Sequence, residues 1–345
     1  MTVLTMPAPA SQDVALPPVP WRRMAWVTWR QHRPTPISLP VVLGAVAVFL
    51  WIAGLKIHHD YALLTACHPL SSNACQTLNM NFNGTDWTMA NTIDIFMNLT
   101  PALIGAFAGA PVLARELETG TYRYAWTQGF GRVRWTIAKL VLIAVAVTAV
   151  AGAFSQVFVW FFQPFLAQES LTVFSATVFA THGIAFAAWT LVAFAIGALA
   201  GMGIRRIVPA MATTLAVYAG LALATWLFLR EHYPLTLVTS HPNINPSPFS
   251  VNDSWVLSTW YTGPGGKPAS QSTLNQIFAL FPHNGGPKVK ETLAQELARH
   301  DITVWQRYIP VSRFWPMQFV EAGWLLALSV LLIAATVWLV RRRAA

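Results

Sequence analysis

The chain has 345 residues, of which 22 are Lys or Arg and 13 are Asp or Glu, so that 10% are charged and 55% are hydrophobic. An ordinary soluble domain carries roughly 25% charged residues, and so few charges would leave a soluble chain of this length with large apolar patches in water. This excludes a soluble enzyme, a disordered chain and a disulfide-dense scaffold, and it removes the reading of the +9 net charge as a nucleic-acid footprint.

What remains is an all-α polytopic membrane protein. Residues 1–20 hold Pro7, Pro9, Pro17, Pro18 and Pro20, with no basic region followed by an apolar stretch. They predict a disordered tail and not a secretory signal. Over 21–36, Trp21, Trp26 and Trp29 alternate with Arg22, Arg23, Arg30 and Arg33. That is the pattern of an amphipathic helix lying in the headgroup region; a basic flank that only sets topology is the alternative. Six apolar runs of about 20 residues, each long enough to cross the hydrocarbon, then cover 37–57, 93–113, 137–162, 178–202, 208–229 and 316–340. Arg205 and Arg206 separate the fourth from the fifth, which must form a tight hairpin, and Pro209 suits the first turn of a helix.

The connecting segments are 58–92, 114–136 and 230–313, with a tail at 341–345. Residues 1–36, 114–136, 203–207 and 341–345, together with Lys139, carry 14 Lys/Arg and three acids, +11 in all, against −2 for the rest of the chain. The bias of basic residues toward the cytoplasm predicts both termini inside, with 58–92 and 230–313 outside. Cys67 and Cys75 then share the oxidising side and predict a disulfide. A metal site combining these thiols with His58, His59 or His68 is the alternative, although the spacing matches no ligand pattern. The largest outer segment reads as irregular around Pro242 to Pro248, with a short amphipathic helix from Val289 to His300 carrying Leu293 and Leu297. Gly263-Pro-Gly-Gly-Lys267 lacks the spacing of a phosphate-binding loop.

Intramembrane ionisable residues are few. Asp94, Glu321 and His182 all fall near the outer ends of spans, either as hydrogen-bonded structural groups or, for Asp94 and Glu321, as an external gate. Gly105 and Gly109, and Gly197 and Gly201, form two G-x-x-x-G pairs that allow close helix packing. No motif for a catalytic residue or a metal site occurs. The stretch from Arg115 to Trp135 differs from a plain connection: it mixes Glu116 and Glu118, Gly120, aromatics and spaced arginines. Such a surface suits a short helix docked into the groove of another protein.

At these residues the chain resembles the type-2 ABC transporter permease family, the membrane-spanning subunits of one class of ATP-driven exporter. The matching pattern is Glu116, Gly120-Thr121, Arg132 and Lys139. The stretch from Tyr308 to Glu321 also resembles a branch of small actinobacterial permeases. The resemblance implies a multi-pass plasma-membrane subunit without cofactors of its own. It further implies a separate cytoplasmic ATPase that binds ATP and Mg, and a second permease copy or homologue in a bath of membrane lipid. Alternating access would be driven through Glu116, Glu118, Gly120, Thr121, Arg123, Arg132, Arg134 and Lys139. A self-sufficient secondary transporter and a non-transporting sensor or assembly subunit are the rival readings.

Overall fold

The computed structural model describes residues 34–69, 72–120, 132–168, 173–233, 237–241, 254–280 and 295–343. The tail at 1–20, most of the 21–36 segment, and Thr121 and Arg123 lie outside them. The described chain is mostly helical: α1 (Pro34–Ala66), α2 (Asn73–Thr119), α3 (Arg132–Ala167), α4 (Ala176–Thr181), α5 (Gly183–Ile204), α6 (Ile207–Ala224, continuing as a π-turn and a 3-10 turn to His232), α7 (Gln271–Leu280) and α8 (Phe314–Arg343). Among the described residues, six helices are long and apolar enough to cross a membrane: α1, α2, α3, α5, α6 and α8.

These helices outrun the apolar runs in the sequence. The 58–92 segment is helical at both ends, leaving only the stretch between Ala66 and Asn73 as a connection. Hydropathy marks the part of a helix that meets lipid, but the helix itself ends where its backbone bonding ends. Asn and Thr between 73 and 92 lower the hydropathy, yet no proline stops the helix. One face of this extension also buries Cys75, Phe82 and Asp86. Phe82 and Trp87 pack edge-on and tilted against Phe162 and Phe165 of α3, burial that outweighs weak local propensity. A disulfide joins Cys67 to Cys75 across the connection, with Cα atoms 5.7 Å apart.

The main core gathers Phe154, Phe158, Phe161 and Phe162 of α3 with Phe186 and Phe194 of α5. α1 leans on α3 through an aromatic sandwich: Trp160 stacks between Trp51 and His58 at centroid distances of 4.4 and 4.7 Å. Gly54 lies between those two residues of α1, where a Cβ would collide with the Trp160 ring.

The 230–313 segment differs most from the sequence reading. It holds an antiparallel sheet of β1 (Leu237–His241), β2 (Ser254–Thr262) and β3 (Thr303–Pro310), in the order β1-β3-β2. β2 and β3 are rich in Thr, Val, Trp and Tyr, which suit a pleated half-buried surface. Tyr261 and Val304 pack on Leu274 and Ile277 of α7 and on Leu297. The helix expected from Val289 to His300 is helical over 295–299, its earlier part lying outside the described residues. β3 runs directly into α8 through one 3-10 turn, so the sheet is rooted on the last span.

Candidate functional site

At one end of the bundle, α2 stops because Gly120 takes φ +73°. This left-handed residue after the last helical turn is tolerated by glycine and strained for most others. A Cβ there would meet no atom, so backbone conformation and not space requires the glycine. The two acids of the last turns reach different partners. Glu116 accepts from Lys139 Nζ of α3 at 2.7 Å, and the same ammonium donates to Val112 O at 2.6 Å. Lys139 is fully buried, so its charge is held by that carboxylate and carbonyl in place of water. Glu118 Oε2 accepts from the backbone N–H of Ile207 at 3.0 Å. That amide opens α6 and has no intrahelical partner, and a carboxylate beside a helix N-terminus also suits the helix dipole.

The helix ending at Gly120 is thus fastened to α3 and α6 by two side chains two residues apart. Arg134 sits half-buried in the first turn of α3 and Arg132 begins that helix. Arg115, Arg205, Arg206, Arg341 and Arg342 are exposed at the same end of the bundle.

The four glycines come together as one seam between α2 and α5. A Cβ on Gly105 would meet Ala193 O at 2.5 Å, and one on Gly109 would meet Phe194 O at 2.6 Å. Cβ atoms on Gly197 and Gly201 would strike the backbone of Gly105 and Ala110. Backbone meets backbone along this seam, and any side chain there would separate the helices.

The opposite end holds a buried ion pair. Arg230, at the end of α6, gives Nε to Glu321 Oε2 and Nη2 to Oε1, both at 2.9 Å. Trp189 Nε1 of α5 donates to Oε1 at 2.8 Å, and Tyr233 O–H donates to Oε2 at 3.3 Å. Trp324 Nε1 in turn donates to the Tyr233 oxygen at 3.0 Å, and the guanidinium lies 4.6 Å above the Phe179 ring. Burial first, and then the Glu321 carboxylate, push the Tyr233 phenol well above the usual tyrosine range, so it stays a donor. Glu321 and Arg230 are 0% and 4% exposed. The carboxylate expected at an external gate therefore has both oxygens engaged. Next to it, Gln318 accepts from Ala185 N and donates to Phe179 O at 2.9 and 3.0 Å, tying α8 to the start of α5.

The fourth apolar run is broken at His182, with Gly183 at φ +65°. Ser155 Oγ donates to the Thr181 carbonyl at the break, at 3.0 Å. Asp94 is buried on α2 beside Thr181 and Asn98, whose polar atoms each lie 3.4 Å from its Oδ1. Asp94 and Glu321 thus belong to separate clusters. Since Cys67 and Cys75 are bonded to each other, they offer no thiolate to a metal. His58 instead faces the Trp160 carbonyl at 3.0 Å.

Arg230 and its neighbours Trp189 and Tyr233 are the residues that sequence reasoning missed. The signal was available: an acid inside a span needs a cation, and Arg230 ends the preceding apolar run.

A family profile described as ABC-2 membrane transporter related matches residues 40–230. Glu116, Gly120 and Lys139 fall inside the match, and the stretch from Tyr308 to Glu321 falls beyond it. No curated protein and no solved structure matches the chain.

Proposed function

The chain belongs to the ABC-2 membrane transporter related family, and from that premise we propose that it is the permease subunit of an ATP-driven exporter, worked by a separate cytoplasmic ATPase. ATP and Mg bind on that partner, because the sequence of this chain contains no G-x-x-x-x-G-K-[ST]. A second permease copy or homologue completes the path, and the end of the bundle bearing Arg205 and Arg206 faces the cytoplasm.

The observation that carries the reading is the double fastening of the helix that ends at Gly120. A push on the 121–131 segment moves that helix, and the Glu116–Lys139 pair passes the motion to α3. The bond from Glu118 to Ile207 N–H passes it to the first turn of α6, and the glycine seam carries α5 along with α2. A helix end that led only into a connection to α3 would have no need to be fastened to α6 as well. The exposed arginines offer contacts to acidic groups on the ATPase or to lipid phosphates. In this reading Arg123, Arg132 and Arg134 contribute cations to the same contact, and Thr121 belongs to the coupling motif with Gly120. At the other end, the Arg230–Glu321 pair acts as a pivot at the root of the 230–313 subdomain, and Asp94 steadies the break in the fourth span.

The test is co-expression with the ATPase, co-purification and transport in proteoliposomes. Glu116→Lys sets a cation against buried Lys139 and is expected to abolish transport while ATP is still hydrolysed. Glu118→Ala removes one fastening and is expected to lower transport severalfold without releasing the ATPase. Normal export by both variants would overturn the coupling role. Transport by the purified chain alone, driven by an ion gradient, would instead make it a secondary transporter. Lasting ATPase association without any translocation would make it a sensor or assembly subunit.

A further inference from the structure

α2 carries two π-turns, Phe82–Asp86 and Gly105–Gly109. Such turns re-aim one face of a helix and gather at functional sites. Between them, facing α1, lie two cavities that abut within one helical turn on both helices. The first, about 620 Å³, lies between Phe49 of α1 and Thr85, Thr88 and Thr92 of α2. The second, about 440 Å³, lies between Val42 and Val46 of α1 and Phe96, Leu103 and Phe107 of α2. Together they make one groove, with three threonines along one half and a single one, Thr100, in the more apolar other half.

The polarity changes with depth as a lipid does. From Phe96 to Phe107 the apolar half covers about 17 Å at the helical rise per residue, close to half of the ~30 Å hydrocarbon thickness. It is therefore as long as the chain of one leaflet, and the hydroxylated half falls at headgroup level. Of the three hydroxyls there, those of Thr88 and Thr92 have a definite sense. Thr88 Oγ donates to Gly84 O at 2.7 Å and Thr92 Oγ donates to Thr88 O at 2.8 Å. Each has given away its one proton and presents only lone pairs to the groove. Asp86, next to Thr85, accepts from Lys56 Nζ at 2.7 Å, and the same ammonium donates to Asp60 at 2.7 Å, so two carboxylates share one cation there. Acceptor oxygens and carboxylates that share one cation complement a head group rich in N–H donors.

We propose that the α1–α2 groove is a binding site for a bilayer phospholipid whose head group carries a primary ammonium. Its acyl chain lies along Phe96 to Phe107, and its N–H groups reach the Thr88 and Thr92 oxygens and the Asp60 carboxylate. The site rests on membrane placement alone and is independent of the coupling mechanism.

Phosphatidylethanolamine and phosphatidylcholine with identical chains separate the idea cleanly, because only the former has N–H donors. The full-length protein is exchanged into an equimolar mixture of the two and analysed by native mass spectrometry. About fivefold preferential retention of phosphatidylethanolamine is expected, the worth of one net hydrogen bond. Thr88→Val with Thr92→Val, both exposed positions, should erase the preference while either lipid still binds. Leu103→Trp, exposed on the groove rim, should reduce retention of both. Equal retention of the two lipids by the unaltered chain would overturn the proposal. So would an unchanged preference in the double Thr variant, or a cysteine cross-link from residue 103 to a second copy showing protein in the groove.

Discussion

Glu321 receives hydrogen bonds from Arg230, Trp189 and Tyr233 in a site closed to water. An ion pair in that setting need not add net stability, since desolvating both charges offsets much of their attraction. Breaking it is another matter. Glu321→Gln would leave a buried guanidinium without its counter-charge, and a loss of about 3–5 kcal/mol is expected, read as a lowered unfolding midpoint in detergent. Arg230→Met combined with Glu321→Leu removes both charges and should recover most of that loss. If the double variant is as unstable as Glu321→Gln, the hydrogen bonds to Trp189 and Tyr233 outweigh the charge pairing. Lys139 follows the same physics with the roles reversed, because there the cation is fully buried and the carboxylate sits nearer the surface.

Among the elements, α2 and α5 are joined so closely that the seam has no room for a side chain. Gly197→Leu would force the helices apart, and overpacking of about 1–3 kcal/mol or more is expected, with loss of folded protein on purification. Gly44→Leu in α1, where a Cβ would meet nothing, is the control and should be silent. The break between α4 and α5 depends on Gly183 in a left-handed conformation, so Gly183→Ala should cost about 1–2 kcal/mol, measurable by the same unfolding assay. The sequence displayed both glycine pairs but not which helix each would meet, since any lipid-exposed small residue gives the same signal. The extent of α2 was hidden for a related reason. Asn73 to Thr92 reads as polar connection, and only packing of Phe82 and Trp87 on α3 makes it helix.

On the scale of the molecule, all the described cysteine is in one disulfide, so a single introduced thiol can report sidedness. Arg342→Cys is expected to react with a membrane-impermeant maleimide only after the cells are opened, and Lys267→Cys in intact cells. The reverse pattern would invert the orientation and with it the coupling scheme. The sheet of β1, β2 and β3 stands on the last span, and its root shares Tyr233 with the buried ion pair. Both α6 and α8 are therefore tied to this subdomain by direct contact.

The sequence by itself determined the class of the molecule. Scarce charge and six apolar runs leave few alternatives to a helical bundle in lipid, because an unpaired backbone costs too much there for other folds. It also displayed the acids, glycine and lysine of the 114–139 segment. Only the tertiary structure decided what those residues hold. Lys139 meets Glu116 across 23 positions and Glu118 meets Ile207 across 89, while Arg230 meets Glu321 across 91. The reason is physical: hydropathy and helical period are set by neighbours along the chain, whereas the partner of a buried charge is set by which helices pack side by side.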